Sequence, residues 1–417
     1  MRGGRLRLGF RTRVLVGCAF ADWRSDFCRF GREREVLITD GVGTVHTERG
    51  AWSGGVRRRM ASASTGPSRL AHPPHRHGRR AVARASAQPP ARASPPPLDV
   101  VSTTLIVDDL VFHDGTTRMA VLGGGGPQTL FGAGLARRSP PLTLGLVAGI
   151  GGDGDCPREC VEWLVDHGVD VRGLMPTPRM PTPRAWQITE RDGRRTQVWR
   201  LDERRSDELY AMLRPAHSSW PENAAAARCA HFGVDPSRPD VSLCAALRAA
   251  GCGLTSVEPF TVARVPLDAS ELRALCGAAD VFSPNEREAR SLFVDGDRLS
   301  PTELVRRMAD AGADVVCLRR GESGAMAYDA GRDEGFECPS VAARVVDETG
   351  CGNAFCGAFA ASLSRGEGIA EGLALGSAAA SVMLEHVGVP PGGFEEYREE
   401  AERRAAAARA ATVAFSL

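Results

Sequence analysis

A short run of small residues near the end of the chain has the composition of an anion-binding loop. Thr349-Gly350-Cys351-Gly352-Asn353 follows the apolar, strand-like segment 342–346 and precedes residues 354–364, which predict a helix of small side chains. Glycines let a backbone turn tightly and direct successive N–H groups at one point. The positive end of the following helix adds to this field, so the loop fits a phosphate or a developing oxyanion. A plain turn between a strand and a helix is the alternative.

The same stretch resembles the C-terminal signature of the pfkB (ribokinase-like) carbohydrate and nucleoside kinases, Asp-Thr-x-Gly-Ala-Gly-Asp-x-Phe. In that family the last Asp takes the proton from the substrate hydroxyl, and this position is Asn353 here. Glu348 stands where the signature has a small residue, and Cys351 replaces Ala. The resemblance therefore implies an anion hole followed by the catalytic position. The residues implied for these roles are Gly350, Cys351, Gly352 and Asn353.

Two earlier stretches resemble the family's sugar-binding segments. Residues 101–107 predict a strand that ends at Asp108-Asp109, where the family has a sugar-binding Asp, and Asp109 is the better match. Four glycines at 123–126, followed by Gln128, resemble the family's Gly-Gly-x-Gly-x-Asn loop, with Gln in place of Asn. An Asp at a strand end is also a common turn residue, and a glycine run is also a flexible loop. The substrate-binding residues implied are Asp109, Gly124, Gly125 and Gln128.

Three further stretches resemble the nucleotide side of the family. Residues 283–288 match the Asn-x-x-Glu motif that organises Mg²⁺ and phosphate, and they would also begin a helix with Ser283 as the cap. Residues 319–324 resemble the Thr/Lys-x-Gly-x-x-Gly hairpin, with an Arg at the first position. Small residues in the predicted helix 373–384 would leave room for an adenine ring. The nucleotide-binding residues implied are Asn285, Glu288, Arg319, Gly321, Gly324, Ser377 and Ala380; the metal-binding residues are Glu288 for Mg²⁺ and Asp347 and Thr349 for a monovalent cation such as K⁺.

Regular alternation of strands and helices from residue 227 onward indicates the fold that positions these motifs. The predicted strands are 229–234, 254–257, 281–283 and 315–318, and the predicted helices are 239–250, 269–278 and 286–294. Such alternation is typical of a parallel sheet covered by helices on both faces. With the resemblance, the prediction is an α/β, ribokinase-like three-layer sandwich with a mainly parallel central sheet and a small β lid. Parts of the lid are expected near 110–122 and 183–201, the second around an Asp192-Gly193 hairpin turn.

Residues 1–97 differ in composition from the rest of the chain. Segment 60–97 is rich in Arg, contains no Asp or Glu and begins Met-Ala-Ser-Ala-Ser-Thr, which resembles an organelle transit peptide that starts at Met60. A disordered basic tail, or a wrongly predicted first exon for residues 1–59, would explain the same composition. The kinase-like domain is expected over 98–395 and a terminal helix and tail over 396–417. Localisation is then chloroplast if the presequence works, and cytoplasmic otherwise.

Net charge, hydropathy and cysteine spacing give no support for several other classes of function. A net charge of +1 over 417 residues gives no support for binding nucleic acid or a membrane surface, and no run of about 18 apolar residues is present. The twelve cysteines lack Cys-x-x-Cys pairs and are predicted to be reduced, mostly buried thiols. The histidines, His231 among them, show no paired ligand spacing and are predicted to be surface or satisfied core residues.

The resemblance covers roughly residues 100–392 and implies ATP-dependent phosphoryl transfer to a hydroxyl of a sugar or nucleoside, with Mg²⁺. A small molecule is the expected partner, and a homodimer is left open. An amide at Asn353 cannot accept the hydroxyl proton at neutral pH. If another group takes this proton, Asp109 and Glu348 are the first candidates. Two other hypotheses remain: a degenerate kinase that binds nucleotide or sugar as a sensor or interaction module, and a purely structural role.

Overall fold

The structure is a computed structural model, and it describes residues 95–136, 140–192, 194–239 and 241–417. The predicted presequence, its start at Met60 and Gly193 of the hairpin turn lie outside the described residues. Among the helices that are described, none combines the length and apolar character needed to cross a bilayer.

Strands and helices alternate along most of the described chain. The first elements are β1 (Val100–Thr103), β2 (Ile106–Val111), β3 (Thr117–Gly123), α1 (Gly125–Leu135), β4 (Leu144–Gly151), α2 (Arg158–Asp166), β5 (Val169–Thr177), β6 (Arg184–Thr189) and β7 (Arg195–Trp199). The middle elements are α3 (Ser206–Leu213), α4 (Glu222–Ala225), β8 (Cys229–Val234), α5 (Ser242–Ala249), β9 (Thr255–Pro259), α6 (Ala269–Cys276), β10 (Val281–Phe282) and α7 (Glu286–Ser291). The last elements are α8 (Pro301–Asp310), β11 (Val315–Arg319), β12 (Ala325–Asp329), β13 (Glu334–Cys338), α9 (Cys351–Ser364), α10 (Ile369–Leu384), α11 (Phe394–Ala411) and β14 (Val413–Phe415).

Ten strands of the described residues form one central sheet in the order β14-β13-β12-β11-β10-β9-β8-β1-β4-β5. The strands from β11 to β5 pair in parallel, and β12, β13 and β14 add antiparallel strands at one edge. Successive side chains of a strand point to opposite faces. The neighbours Val100 and Val101 of β1 accordingly pack into two different hydrophobic clusters, each shared with helices. The sheet is therefore buried on both faces, as predicted.

Four other strands form a smaller sheet in the order β3-β2-β6-β7, which we call the lid sheet. Strands β2 and β6 pair in parallel, and the two outer pairs are antiparallel. The segment 101–107 is thus not one strand, because β1 ends in the central sheet and β2 begins in the lid sheet. Thr104, between them, has a left-handed φ of 78°. A continuous apolar run carries no sign of this break, which explains the incorrect prediction.

Two other predicted segments differ from the structure. Residues 342–346 form no strand: they lie in an extended loop, where the side chain of Val345 is 64% exposed and the Val346 amide donates to the Leu384 carbonyl. The terminal segment ends in β14 rather than in a tail, and the backbone of Phe415 pairs with Gly335 of β13. A segment forms a strand only when another strand lies beside it to share hydrogen bonds. Within the described part of the chain, residues 342–346 have no such partner and residues 413–415 have one, and local composition shows neither.

The cysteine prediction is confirmed for the described residues. Ten cysteines lie there, all are free thiols, and all are buried except Cys351, which is partly exposed.

Candidate active site

A cavity of about 1040 Å³ lies between the lid sheet and the carboxyl ends of the central strands. Ligands of parallel α/β sheets bind at this edge, where loops and helix N-termini converge. The anion loop, which we define as residues 349–353, borders the cavity together with the glycine run before α1. Of the residues predicted for the site, those in the cavity wall are Gly124, Gly125, Gln128, Asn285, Glu288, Arg319, Thr349, Gly350, Gly352 and Asn353.

Close packing of α1 against α9 brings two helix N-termini together at the cavity. A Cβ atom added to Gly132 of α1 or to Gly357 of α9 would lie 1.9 Å from a carbonyl oxygen of the other helix. Any larger residue at either position would force the helices apart. At the cavity end of this contact, a Cβ added to Gly125 would lie 3.3 Å from the Oδ1 atom of Asn353. The two Gly-containing motifs, distant in sequence, therefore form one site.

Gly350 and Gly352 lack side chains, which lets Gln128 and Arg319 pack closely against the anion loop. Gly350 caps α9 with a left-handed φ of 83°, and an added Cβ would lie 2.3 Å from the Cδ atom of Gln128. The first amides of a helix have no partner in a preceding turn. Cys351 lies apart from this role: its Sγ atom is 3.8 Å from the Asp347 carbonyl, and burial raises the thiol pKa to about 12. The loop therefore offers backbone donors, while the neutral Cys351 thiol does not line the cavity.

The amide of Asn353 is oriented by a second amide. Its Nδ2 atom donates to the Oε1 atom of Gln128 over 2.6 Å, and Gln128 is only 3% exposed. The two residues that replace the family's Asn and Asp thus contact each other directly. With Nδ2 occupied, the Oδ1 atom of Asn353 lies toward Gly125 and can accept a hydrogen bond from a hydroxyl.

Of the two neighbouring aspartates on β2, Asp108 lines the cavity and the predicted Asp109 does not. Asp109 is fully buried, pairs with Arg184 at 2.7 Å and with Arg200, and accepts from the Ala120 amide. Burial raises its pKa, but these hydrogen bonds outweigh burial and lower the pKa to about 2. Asp108 lines the cavity, accepts 2.9 Å from the Nε2 atom of Gln187, and has its pKa raised by burial to about 7. Successive side chains on a strand point to opposite faces, so choosing the wrong one of these two aspartates places the carboxylate on the wrong side of the lid sheet.

Arg319 places a fixed positive charge beneath the anion loop. Its Nη2 atom lies 2.7 Å from Glu258 and 3.6 Å from Glu288, and donates 2.8 Å to the Ser283 carbonyl. A Cβ added to Gly352 would lie 2.1 Å from the Nη1 atom of Arg319, so the guanidinium is against the start of α9. Only 12% of the Arg319 side chain is exposed. A guanidinium held in this way can neutralise an anion bound at the loop.

Glu258 holds this arginine and was missed by the sequence analysis. Burial raises the Glu258 pKa, but the charge of Arg319 together with the contacts of His231 and Cys356 outweighs it, so the carboxylate has a lowered pKa. His231 is buried: its Nδ1 atom is 2.9 Å from the Ser256 hydroxyl, whereas its Nε2 atom, 3.7 Å from Glu258, has no hydrogen-bond partner among the described residues. A lone Glu at the carboxyl end of the apolar strand β9 was the signal that could have identified the carboxylate.

Asn285 and Glu288 cap α7 and also line the cavity. The Oδ1 atom of Asn285 accepts from the Glu288 amide over 2.9 Å, and Glu288 accepts from the Asn285 amide over 2.8 Å. Asn285 is therefore the N-cap, and the predicted cap Ser283 is instead buried and donates to the Cys317 carbonyl. Burial raises the pKa of Glu288 to about 7. Asn285 and Glu288 therefore cap the helix and also lie at the candidate active site.

Several predicted nucleotide-binding residues do not line the cavity. Gly321 is exposed with a φ of 55°, and Gly324 is buried, where an added Cβ would lie 2.1 Å from the Cys338 carbonyl. The hydroxyl of Ser377 lies 3.6 Å from the Cys338 thiol, and Ala380 packs against a hydrophobic cluster. The side chains of Ser377 and Ala380 therefore pack against neighbouring elements of the fold. Their roles toward a nucleotide stay predictions.

The predicted cation residues meet an arginine that the sequence analysis also missed. The Oδ1 atom of Asp347 accepts 2.9 Å from the Thr349 amide, and the Thr349 hydroxyl accepts 2.7 Å from the Nη1 atom of Arg195. Arg195 begins β7 and lines the cavity, whereas Asp347 does not. Among several arginines of an exposed hairpin, no local signal distinguishes the one that reaches the anion loop.

Residues 147–392, more than half of the 417-residue chain, match the family model described as pfkB family carbohydrate kinase. The chain belongs to the pfkB carbohydrate kinase family.

Individual relatives share most of the described region. A cytidine kinase of Thermococcus kodakarensis is 29% identical over 290 residues, which cover 69% of this chain and 96% of that protein. The structure of an E. coli protein assigned as ribokinase II, in complex with ATP and Mg²⁺, has a TM-score of 0.57 at 19% identity and covers 73% of this chain and 98% of its own. Arabidopsis thaliana ribokinase, complexed with ribose and ATP, has a TM-score of 0.54 at 21% identity, with 74% and 98% covered. The predicted ribokinase-like α/β fold is confirmed.

Proposed function

We propose that this protein transfers the γ-phosphoryl group of ATP to a hydroxyl of a sugar or nucleoside, and that Asn353 orients this hydroxyl. The observation that carries the proposal is the meeting of the α1 and α9 N-termini at the cavity, with Asn353 Oδ1 turned toward Gly125. A phosphate and a hydroxyl could both reach this point. The match to a cytidine kinase over nearly all of its length supports a kinase of this kind.

The phosphate end of the site has the parts that phosphoryl transfer requires. Such transfer depends on positioning and on neutralising charge rather than on covalent chemistry by the protein. Gly350 and Gly352 line the cavity, and because they lack side chains Gln128 and the Arg319 guanidinium pack directly against them. These features fit the phosphates of ATP.

The oxygen donors near Arg319 fit a hard divalent cation. Glu258 and Glu288 place carboxylates at the cavity wall, the ligand type that Mg²⁺ prefers. Glu288 would hold the ion, and bound Mg²⁺ would neutralise charge on the phosphates. A monovalent cation near Asp347 and Thr349 is also part of the proposal, supported by the carboxylate and hydroxyl oxygens there.

Asp108 takes the acceptor-binding role that the sequence analysis gave to Asp109. Its carboxylate lines the cavity with a single hydrogen bond, from Gln187, among those of the described residues. A second oxygen is therefore available to the hydroxyls of a sugar ring. Asp109, in contrast, has both oxygens bound by arginines.

The reaction proceeds without a base at position 353. Asp109 is buried in ion pairs and Glu348 is an exposed residue at the cavity rim, so neither is favoured as the missing base. In a loose phosphoryl-transfer transition state the nucleophile is only weakly bonded, so its proton can leave late. Lack of the base costs about 10²–10⁴ in rate. Turnover is therefore expected to be slow but dependent on the acceptor.

The experiment is transfer of ³²P from [γ-³²P]ATP with Mg²⁺ by the full chain, with cytidine and D-ribose as the first acceptors. We expect labelled product that requires an acceptor, and Asp108→Asn should lower its rate through a higher KM for the acceptor. ATP binding measured by calorimetry without transfer to any sugar or nucleoside in a panel would favour the binding-module hypothesis. Absence of both binding and transfer would overturn the proposal.

A further inference from the structure

The geometry points to Arg195 of the lid sheet as a catalytic residue that binds the transferring phosphoryl group, a role that rests on the proposed phosphotransfer. Its Nη1 atom donates 2.7 Å to the hydroxyl of Thr349, the residue directly before Gly350. The guanidinium lies in the cavity wall beside the amides that would receive the phosphate. Arg195 therefore reaches the anion loop from the lid sheet, whereas Arg319 reaches it from the central sheet.

Arg195 is bound loosely enough to change partners. Within the described residues, no carboxylate lies within 4.0 Å of its guanidinium, and Thr349 offers only a neutral hydroxyl. Hydrogen bonds between a guanidinium and an anionic oxygen are roughly twice as strong as bonds to neutral acceptors. A phosphoryl group at the loop would therefore displace Thr349 as the partner. The planar fork of Arg195 can then bind two phosphoryl oxygens together.

The charge that Arg195 would meet appears during the transfer step. The acceptor oxygen forms a bond to the γ-phosphorus as the bond to the β–γ bridging oxygen breaks, and ADP leaves with the electron pair of that bond. The hydroxyl proton passes to a phosphoryl oxygen of the product and then to water. Negative charge spreads over the equatorial oxygens in the transition state, where a guanidinium stabilises it.

The test compares Arg195→Gln and Arg195→Lys with Arg194→Gln, a matched loss of charge on the same hairpin. Arg194 is an exposed residue whose Nε atom lies 3.7 Å from Asp192. We expect Arg195→Gln to lower kcat with Mg-ATP and cytidine or D-ribose by about 10²–10³-fold, the loss typical of one removed oxyanion donor. Arg195→Lys should recover part of the rate, and Arg194→Gln should match the wild type. The dissociation constant for ADP should change less than about twofold, and melting temperatures should agree.

A second measurement does not depend on turnover. Tetrafluoroaluminate bound with Mg-ADP mimics the phosphoryl group in flight, so Arg195→Gln should weaken this complex while leaving Mg-ADP alone unchanged. Equal tetrafluoroaluminate affinity in wild type and Arg195→Gln would overturn the role of Arg195. A higher KM for the acceptor with unchanged kcat would also overturn it and make Arg195 a substrate-binding residue. Failure of the wild type to bind Mg-ADP would instead reject the proposed function itself.

Discussion

The two arginines that reach the anion loop are held in opposite ways. Arg319, on the central sheet, is 12% exposed and lies between two buried glutamates. Arg195, on the lid sheet, is exposed and donates to one neutral hydroxyl. The fold therefore holds the Arg319 guanidinium in place before a ligand binds. The Arg195 side chain can exchange its neutral partner for a phosphoryl group during the reaction. Loss of the Arg319 guanidinium should therefore lower stability, and loss of the Arg195 guanidinium should lower turnover.

The largest effect is expected from Arg319→Met. Removal of the guanidinium leaves Glu258 buried without its counter-ion, and breaking a buried pair in this way costs about 3–5 kcal/mol. Urea unfolding measures this loss. Arg204→Met, which removes a surface pair with Asp202, is the control and should leave the free energy of unfolding almost unchanged, because solvent screens an exposed pair. Equal losses in the two variants would show that Arg319 is not a structural part of the central sheet.

A smaller effect is expected from Gly350→Ala, compared with Gly366→Ala. Both glycines have left-handed φ, 83° and 77°, so both variants carry backbone strain of about 1–3 kcal/mol. A Cβ at Gly366 meets nothing within 4 Å, whereas one at Gly350 collides with Gln128. Gly350→Ala should therefore lose more stability in urea unfolding and also lose transfer activity. Identical behaviour would mean that the contact with Gln128 does not matter.

Asp109→Asn should destabilise the protein at neutral pH in a way that disappears in acid. The folded pKa of Asp109 is lowered to about 2 from an ordinary 3.8, so the carboxylate contributes stability above about pH 4. This contribution is lost as the pH falls through 2. Denaturant unfolding of wild type and variant between pH 7 and pH 2 should show curves that converge. A constant gap would contradict the ion pairs described for Asp109.

Asp108→Asn should have the opposite pH dependence. The folded pKa of Asp108 is raised to about 7, so the protonated side chain favours the folded state below about pH 4. That contribution is lost as the pH rises through 7. The stability of the Asn variant relative to the wild type should therefore improve between pH 4 and pH 8. Parallel pH profiles would indicate that Asp108 is ionised throughout.

Local patterns predicted the parts of the site that lie within single motifs. Gly124, Gly125, Gly350, Gly352, Asn285 and Glu288 line the cavity, and the strand 229–234 has its predicted bounds. The predicted glycine loop 123–126 is shorter than expected, because Gly123 ends β3 and α1 begins at Gly125. Each correct prediction depends on neighbouring residues only: a glycine for a left-handed turn, or a cap for a helix. The position of Asn353 beside Gln128 also follows once the motifs are assigned to one site.

Residues whose roles depend on distant pairing could not be predicted. The choice between Asp108 and Asp109 depends on the break at Thr104 and the register of β2, which the apolar run conceals. Arg195 contacts Thr349 across 154 positions of sequence. The inward packing of Ser377 depends on β13 as a neighbour, and small side chains alone do not show which face of a helix is covered.

The most direct test of the proposed function is the acceptor-dependent rate of Asn353→Asp beside that of the wild type. The substitution is nearly isosteric, and the amide of Gln128 can turn its Nε2 toward the new carboxylate. With one acceptor and equal Mg-ATP, we expect kcat/KM to rise about 10²-fold or more, with little change in ATP affinity. A fast wild type that slows on substitution would contradict a reaction without its base, and no transfer by either protein would contradict the kinase itself.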